Sequence, residues 1–186
     1  MIDCTAALLA GGKSTRMGQD KALLQIGGKP LWQIQRDKLA SFADEVLISA
    51  REGMIDAKVV TDRVQGLGPL GGLQSVMEVA RYDRIVILGV DMPSMTADFL
   101  KSLWDETTPE CGIVPMLHGW FEGLAAIYPR CILPVLKNVL EGKDYSMRAL
   151  LQQGIERGMM KARPVLSHEE FLFQNWNRPN DYIGFK

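Results

Sequence analysis

The stretch Leu9-Ala10-Gly11-Gly12-Lys13-Ser14-Thr15-Arg16-Met17-Gly18-Gln19-Asp20-Lys21 decides how this chain is read. It directly follows Thr5 to Ala10, a short apolar run that reads as a buried strand. Adjacent glycines allow a tight turn and close approach of backbone to a ligand. Successive backbone N–H groups in such a turn form a concavity for anions. Arg16 and Lys21 add cations that can clamp phosphate oxygens, and Ser14 and Thr15 add hydroxyl donors. Two familiar phosphate loops are excluded. Lys13-Ser14 resembles the end of GxxxxGK[ST], but Ala7 stands where that pattern needs glycine. GxGxxG fails because Lys13 and Thr15 interrupt it. On composition alone, a charged and solvated surface loop explains the stretch equally well.

Outward from this loop, strand-like runs alternate with helical patterns. Glu45 to Ala50, Ala57 to Thr61 and Arg84 to Val90 read as strands. Leu31 to Phe42, Leu70 to Tyr82 and Ala97 to Glu106 read as helices. That alternation predicts a mostly parallel sheet covered on both faces. The last third is less regular. Gly112 to Leu117 and Leu124 to Tyr128 read as strands around a loop at His118-Gly119-Trp120. Helices are expected at Cys131–Leu140 and Ser146–Gln153, and a late strand at Ala162–Leu166 or Phe171–Phe173. No repeat or linker is visible, so the 186 residues read as one α/β domain with an added antiparallel portion.

In an open α/β sheet, ligands bind beyond the carboxyl ends of the strands. The first loop occupies one such end. Asp91 follows the run Ile85 to Val90, and Asp62 follows Val59-Val60-Thr61. Parallel strands would bring all three to one edge. Asp91 suits magnesium, which takes one or two carboxylates and completes its shell with substrate phosphates and water. A turn or cap role before Pro93 is the competing reading, and a turn acid is the same for Asp62. Gly66-Leu67-Gly68-Pro69-Leu70-Gly71-Gly72-Leu73 is a second glycine-rich loop that opens a helix, where free N–H groups attract anions.

Composition narrows the classes. A formal net charge of −1 argues against a general nucleic-acid binder. The 47% hydrophobic and 23% charged content is ordinary for a globular protein. The three cysteines, Cys4, Cys111 and Cys131, are widely spaced with no CxxC pair. They read as reduced thiols in a cytoplasmic protein, with Cys4 buried and inert. No signal peptide or membrane-length run is expected.

The segment from Leu9 to Lys21, read as LAGGxSxRMGxDK, resembles the signature of the molybdenum cofactor guanylyltransferases within the nucleotidyltransferase superfamily. Gly68-Pro69-Leu70, Asp91-Met92-Pro93 and Asn175-Trp176-Asn177-Arg178-Pro179 are similar to further family elements. The resemblance implies a three-layer α/β/α sandwich with a mostly parallel Rossmann-like sheet, of the nucleotide-diphospho-sugar transferase type. It implies transfer of GMP from GTP to molybdenum-molybdopterin with Mg2+, releasing pyrophosphate. Leu9, Ala10, Gly11, Gly12, Lys21, Ser49, Asp62, Gly71 and Asp91 would contact the nucleotide, and Asp91 the metal. Arg16, Lys21 and Asp91 would be the catalytic set, and Asn175 and Asn177 would meet the acceptor. Molybdoenzyme chaperones or other cofactor-biosynthesis proteins are the implied protein partners.

The Gly11-Gly12 pair is similar to the guanine-specific branch, whereas alanine-glycine is commoner among cytidylyl and sugar-nucleotide relatives. A cytidylyltransferase for the same cofactor and a catalytically silent GTP-binding module are the alternatives. Two departures stand out. Ser49 replaces a common asparagine, and Gly123 stands near a common proline. Arg148 is a candidate for an acceptor phosphate but reads more simply as solvated. Trp104, Trp120 and Trp176 are expected to pack rather than stack on ligand.

Overall fold

The computed structural model describes residues 1–11, 20–61, 66–142 and 144–175. The first strand, β1 (Ile2–Leu9), lies inside a mixed sheet because every residue from Cys4 to Leu9 is buried. A tiny hairpin follows, β2 (Gln25–Ile26) with β3 (Lys29–Pro30), and leads into helix α1 (Leu31–Ala40). The chain then alternates through β4 (Ala43–Ser49), α2 (Pro69–Val79), β5 (Arg84–Gly89) and α3 (Ala97–Asp105). β1 pairs in parallel with β4 on one side and with β5 on the other.

The second half is built from β6 (Gly112–Leu117), β7 (Trp120–Phe121), β8 (Ala125–Pro129), α4 (Leu133–Glu141), α5 (Met147–Glu156) and β9 (Met160–Pro164). The sheet order is β4-β1-β5-β8-β6-β7, and β9 pairs with β6 in parallel. β8 runs antiparallel to both β5 and β6. This is the expected parallel half with an antiparallel portion.

Side chains alternate across the sheet, and helices cover both faces. Ala6, Leu8, Val86 and Leu88 pack with Leu31, Trp32 and Leu39 of α1 and with Phe99, Leu100 and Leu103 of α3. Ala7, Leu9, Ile85 and Ile87 pack with Leu70, Leu73 and Val76 of α2, and with residues of α4 and α5. Strands buried on both faces explain the unbroken apolar runs of the sequence. Each fully buried Leu or Ile of these strands stabilises the fold by roughly 1.5–3 kcal/mol.

Two strand expectations are corrected. Ala57–Thr61 forms no strand: only Val60 bridges Ser49 at the sheet edge. The Ala57 N–H is taken by the Ile55 carbonyl, so the turn leaves little chain to extend along β4. The late strand is Met160–Pro164, two residues earlier than Ala162–Leu166. Gly158 at φ 70° ends the preceding turn, so pairing with β6 begins at once. Phe171–Phe173 lies in a short 3-10 turn, with Phe173 set edge-on to Phe99 at 5.4 Å.

Helix ends also follow local chemistry. α2 stops at Val79, short of Tyr82, because Ala80 is extended and the Tyr82 N–H reaches the Thr5 hydroxyl at 3.2 Å. Thr96 caps α3 and Ser146 caps α5 through their side-chain oxygens. Among the described residues, no helix is long and apolar enough to cross a membrane.

Cys4 is completely buried, and burial pushes its thiol up to about 11 from the usual 9.0. The thiolate is the reactive form. Cys4 is therefore expected to resist a thiol reagent at pH 8 until the protein unfolds, while exposed Cys131 reacts in the native state. Counting labelled thiols by intact mass with and without denaturant checks this.

Candidate active site

The site begins where three parallel strands end together. Leu9 pairs with Ser49 of β4 and with Gly89 of β5. Beyond the last pairs the backbone keeps the ends joined. The Ser49 carbonyl accepts from the N–H groups of Ala10 at 2.8 Å and Gly11 at 3.1 Å, and the Leu9 carbonyl accepts from Val90 at 3.1 Å. Neighbouring strands lie only about 4.8 Å apart, so Gly11, Ala50 and Asp91 leave the sheet side by side. Among the described residues, a Cβ on Gly11 would come nearest to Ala50 Cα, at 3.8 Å.

Lys21 and Asp91 meet over this edge. Lys21 opens a short 3-10 turn, Lys21–Leu23, capped by the Asp20 carboxylate, which accepts from the Ala22 N–H. Arg51, beyond β4, pairs with Asp20 at 2.9 Å and so ties that turn to the next loop. The Lys21 ammonium lies 3.4 Å from Asp91 Oδ2, with both side chains about one-fifth exposed. That separation exceeds the roughly 2.7–2.9 Å of a tight charge-assisted bond. A loose pair at a partly open strand edge can admit an anion or a cation between its members.

Gly89 shapes the carboxylate. A Cβ there would stand 3.0 Å from Asp91 Oδ1 and 3.2 Å from Leu124 Cβ. The Asp91 carboxylate therefore folds back over space that only glycine leaves open. The Gly89 N–H donates to the Leu124 carbonyl at 2.7 Å, which carries the pairing of Leu88 with Ala125 one residue further. The Ala125 N–H closes a turn on the Glu122 carbonyl at 3.0 Å, and the Glu122 carboxyl lies close enough to feel the charge of Asp91. Burial first, then the charge of Asp91, raises the Glu122 carboxyl above its usual range.

Residues 6–158 match the MobA-like NTP transferase domain. The chain belongs to that family. A probable molybdenum cofactor guanylyltransferase of Carboxydothermus hydrogenoformans is 33% identical over 98% of this chain and 94% of its own. One from Opitutus terrae is 33% identical over 94% of this chain and 91% of its own. The crystal structure of molybdopterin-guanine dinucleotide biosynthesis protein A from Archaeoglobus fulgidus shares the fold, with a TM-score of 0.76 and 21% identity. It aligns with 95% of this chain and 94% of that one. The protein is thus a nucleotidyltransferase of the MobA-like family.

In this MobA-like transferase the remaining sequence candidates divide. Leu9, Ala10, Gly11, Lys21, Ser49 and Asp91 come together at the strand edge. Ser49 is buried, and its carbonyl is the acceptor that holds Ala10 and Gly11. Gly71 is buried in the first turn of α2, its N–H 3.3 Å from the Gly68 carbonyl. Because α2 connects parallel β4 to parallel β5, it starts at the same edge. Asn175 is exposed just beyond the turn that holds Phe173. Gly12, Arg16, Asp62 and Asn177 lie outside the described residues.

One packing expectation changes. Trp120 is 66% exposed rather than packed, and the Arg148 guanidinium lies 5.5 Å above its ring. Trp104 does pack, under the Arg84 guanidinium at 3.5 Å. Gly123 has a packing reason: a Cβ there would stand 2.5 Å from Met147 Cγ at the start of α5. Its carbonyl accepts from the buried Tyr128 hydroxyl at 2.8 Å.

Sequence reasoning passed over Gly89, Glu122, Gln35 and Lys38. Gly89 carried a signal, since a lone glycine inside a strand pattern marks close approach of another group. Glu122 carried none, because a turn between strands does not reveal in sequence which charge it will come near. Gln35 is fully buried on α1, and its amide donates to the Met92 carbonyl at 2.8 Å. Burial lowers the Lys38 amine to about 8 from 10.5.

Gly89→Ala is expected to keep the fold while displacing the Asp91 carboxylate or Leu124. Nucleotidyl transfer should fall roughly 10²-fold, the scale for misplacing a reacting group by about 1 Å. Steady-state kinetics beside a far-ultraviolet circular dichroism spectrum check both halves.

Proposed function

We propose that this chain transfers GMP from GTP to molybdenum-charged molybdopterin, giving the guanine dinucleotide cofactor and pyrophosphate. The observation that carries the reading is the meeting of Lys21 and Asp91 at 3.4 Å, directly over the joined ends of β1 and β5. A cation and a carboxylate beside a glycine turn suit a triphosphate with its metal. The names of the guanylyltransferase relatives support the choice of GTP and of the pterin acceptor.

Leu9, Ala10 and Gly11 would present backbone to the nucleotide. A glycine at position 11 fits this role, since backbone without a side chain lets a ligand approach closely. Gly12, Ser49, Asp62 and Gly71 complete the proposed nucleotide set, Arg16 joins Lys21 on the phosphates, and Asn175 and Asn177 face the acceptor. Lys21 would hold the departing pyrophosphate by charge. The acceptor phosphate oxygen attacks the α-phosphorus in line, and the bond from that phosphorus to the β-phosphate bridging oxygen breaks. Its electron pair leaves with pyrophosphate. The attacking group is already anionic, so no protein base is needed. Positioning and charge stabilisation carry such a step.

The donor set at Asp91 fits magnesium. Among the described residues no group of three or more His, Cys, Asp or Glu side chains converges. One carboxylate, with Glu122 beyond it, is the complement magnesium takes when phosphates and water supply the rest. Bound there, magnesium would neutralise charge on the triphosphate oxygens. Free thiols suit a cytoplasmic enzyme.

A pyrophosphate-release assay with GTP, CTP, ATP and UTP and purified molybdopterin tests the reaction. GTP alone should support release; release with CTP instead would make the chain a cytidylyltransferase, and release with none would refute transfer. Asp91→Ala should lower turnover roughly 10²-fold or more while the melting curve keeps its single transition. Lys21→Ala should weaken GTP affinity roughly 10- to 100-fold by calorimetry, the scale of one hydrogen bond to a charged group.

A further inference from the structure

We propose that Gln35 and Lys38 are positioning residues for Asp91: from α1 they grip the backbone of residues 90–93 and so fix where the carboxylate points. This rests on the role given to Asp91 in the proposed reaction.

The two side chains stand three residues apart and therefore share one face of α1. Gln35 Nε2 donates to the Met92 carbonyl at 2.8 Å and lies 3.5 Å from the Val90 carbonyl. Lys38 Nζ donates to Gln35 Oε1 at 2.6 Å and to the Pro93 carbonyl at 3.0 Å. One connected network thus holds the carbonyls on both sides of Asp91. Asp91 itself is touched by neither bond, which leaves its carboxylate free to face Lys21.

The loop needs such an external clamp. Among the described residues the Met92 N–H makes only a long turn bond to Gly89 at 3.4 Å, and Pro93 has no N–H to give. Sheet pairing ends with the Val90 N–H on the Leu9 carbonyl, so among the described residues no strand partner fixes residues 91–93. Helix α1 is a firm anchor, with Leu31, Trp32 and Leu39 buried against the sheet. Groups behind a metal-binding carboxylate orient it, and losing them lowers metal affinity or turnover by roughly 10- to 100-fold.

The test compares Gln35→Met, Lys38→Met, Lys38→Arg and Asp91→Asn with the parent, and adds the Gln35→Met/Asp91→Asn double variant. Mn2+ binding in the presence of GTP is read by electron paramagnetic resonance, and kcat and KM by pyrophosphate release. Circular dichroism melting reports the fold. Gln35→Met and Lys38→Met should each lose roughly 10-fold or more in Mn2+ affinity and in kcat, with the KM for GTP little changed. Lys38→Arg, which keeps a cationic donor, should recover most of the loss. In the Asp91→Asn background, Gln35→Met should add no further loss, because a clamp has nothing left to aim.

Parent-like Mn2+ affinity and kcat in both methionine variants would overturn the proposal, as would losses that multiply with Asp91→Asn. A lowered melting temperature alone would mean a purely structural clamp and would overturn it too. If Gln35→Met fails to fold, Lys38→Met decides, since it leaves the Gln35 bond to Met92 in place. Asp91→Asn separates the two ideas. Parent-like metal binding and turnover in that variant would remove the role of Asp91 and this inference with it. Failure of Asp91→Asn beside intact Gln35 and Lys38 variants would remove the clamp alone.

Discussion

The parallel register of β1 with both its neighbours is the constraint on which the site depends. Leu9 sits level with Ser49 on one side and Gly89 on the other. A slip of one residue would turn every side chain of β1 to the opposite face. Ala6 and Leu8 would leave the α1 and α3 side, and Ala7 and Leu9 the α2 side. Both faces are covered by helices, so the slip would misplace apolar groups twice over. The same burial that fixes the core therefore fixes the level at which Gly11 and Asp91 emerge.

Beyond that edge the site is held by polar contacts of modest individual strength. Arg51 holds Asp20, Asp20 caps the turn that carries Lys21, and Gln35 and Lys38 hold the loop that carries Asp91. None of these is a deep ion pair. Each restrains backbone next to a functional side chain while leaving that side chain partly open to solvent. Such an arrangement suits a group that must meet a highly charged substrate. In the proposed reaction the Lys21 and Asp91 pair would be a resting contact, reorganised when a triphosphate and its metal bind.

The antiparallel half serves the site in a different way. β8 runs back along β5 and brings Leu124 and Glu122 to the rim where Asp91 emerges. Gly89 and Gly123 let these strands and α5 approach closely, one beneath a carboxylate and the other beneath a methionine. The departure from the family pattern at Gly123 is thus matched by Met147 and by the buried Tyr128 hydroxyl. At the far edge of the sheet, β7 carries exposed Trp120 with Arg148 above its ring.

The sequence by itself determined the layered α/β class and the placing of Gly11 and Asp91 just beyond the ends of neighbouring parallel strands. Those features are local: runs of buried strand residues, paired glycines and an acid at a strand end. It misread Ala57–Thr61, because the three β-branched residues Val59, Val60 and Thr61 look like a strand whether or not the neighbouring chain leaves room to pair. It placed the last strand two residues late, because the Gly158 turn decides where pairing with β6 starts. Only the tertiary structure set Lys21 beside Asp91, Glu122 within reach of its charge and Gln35 behind it. Those residues are 70, 31 and 56 positions away along the chain, and only sheet order and helix packing bring them together.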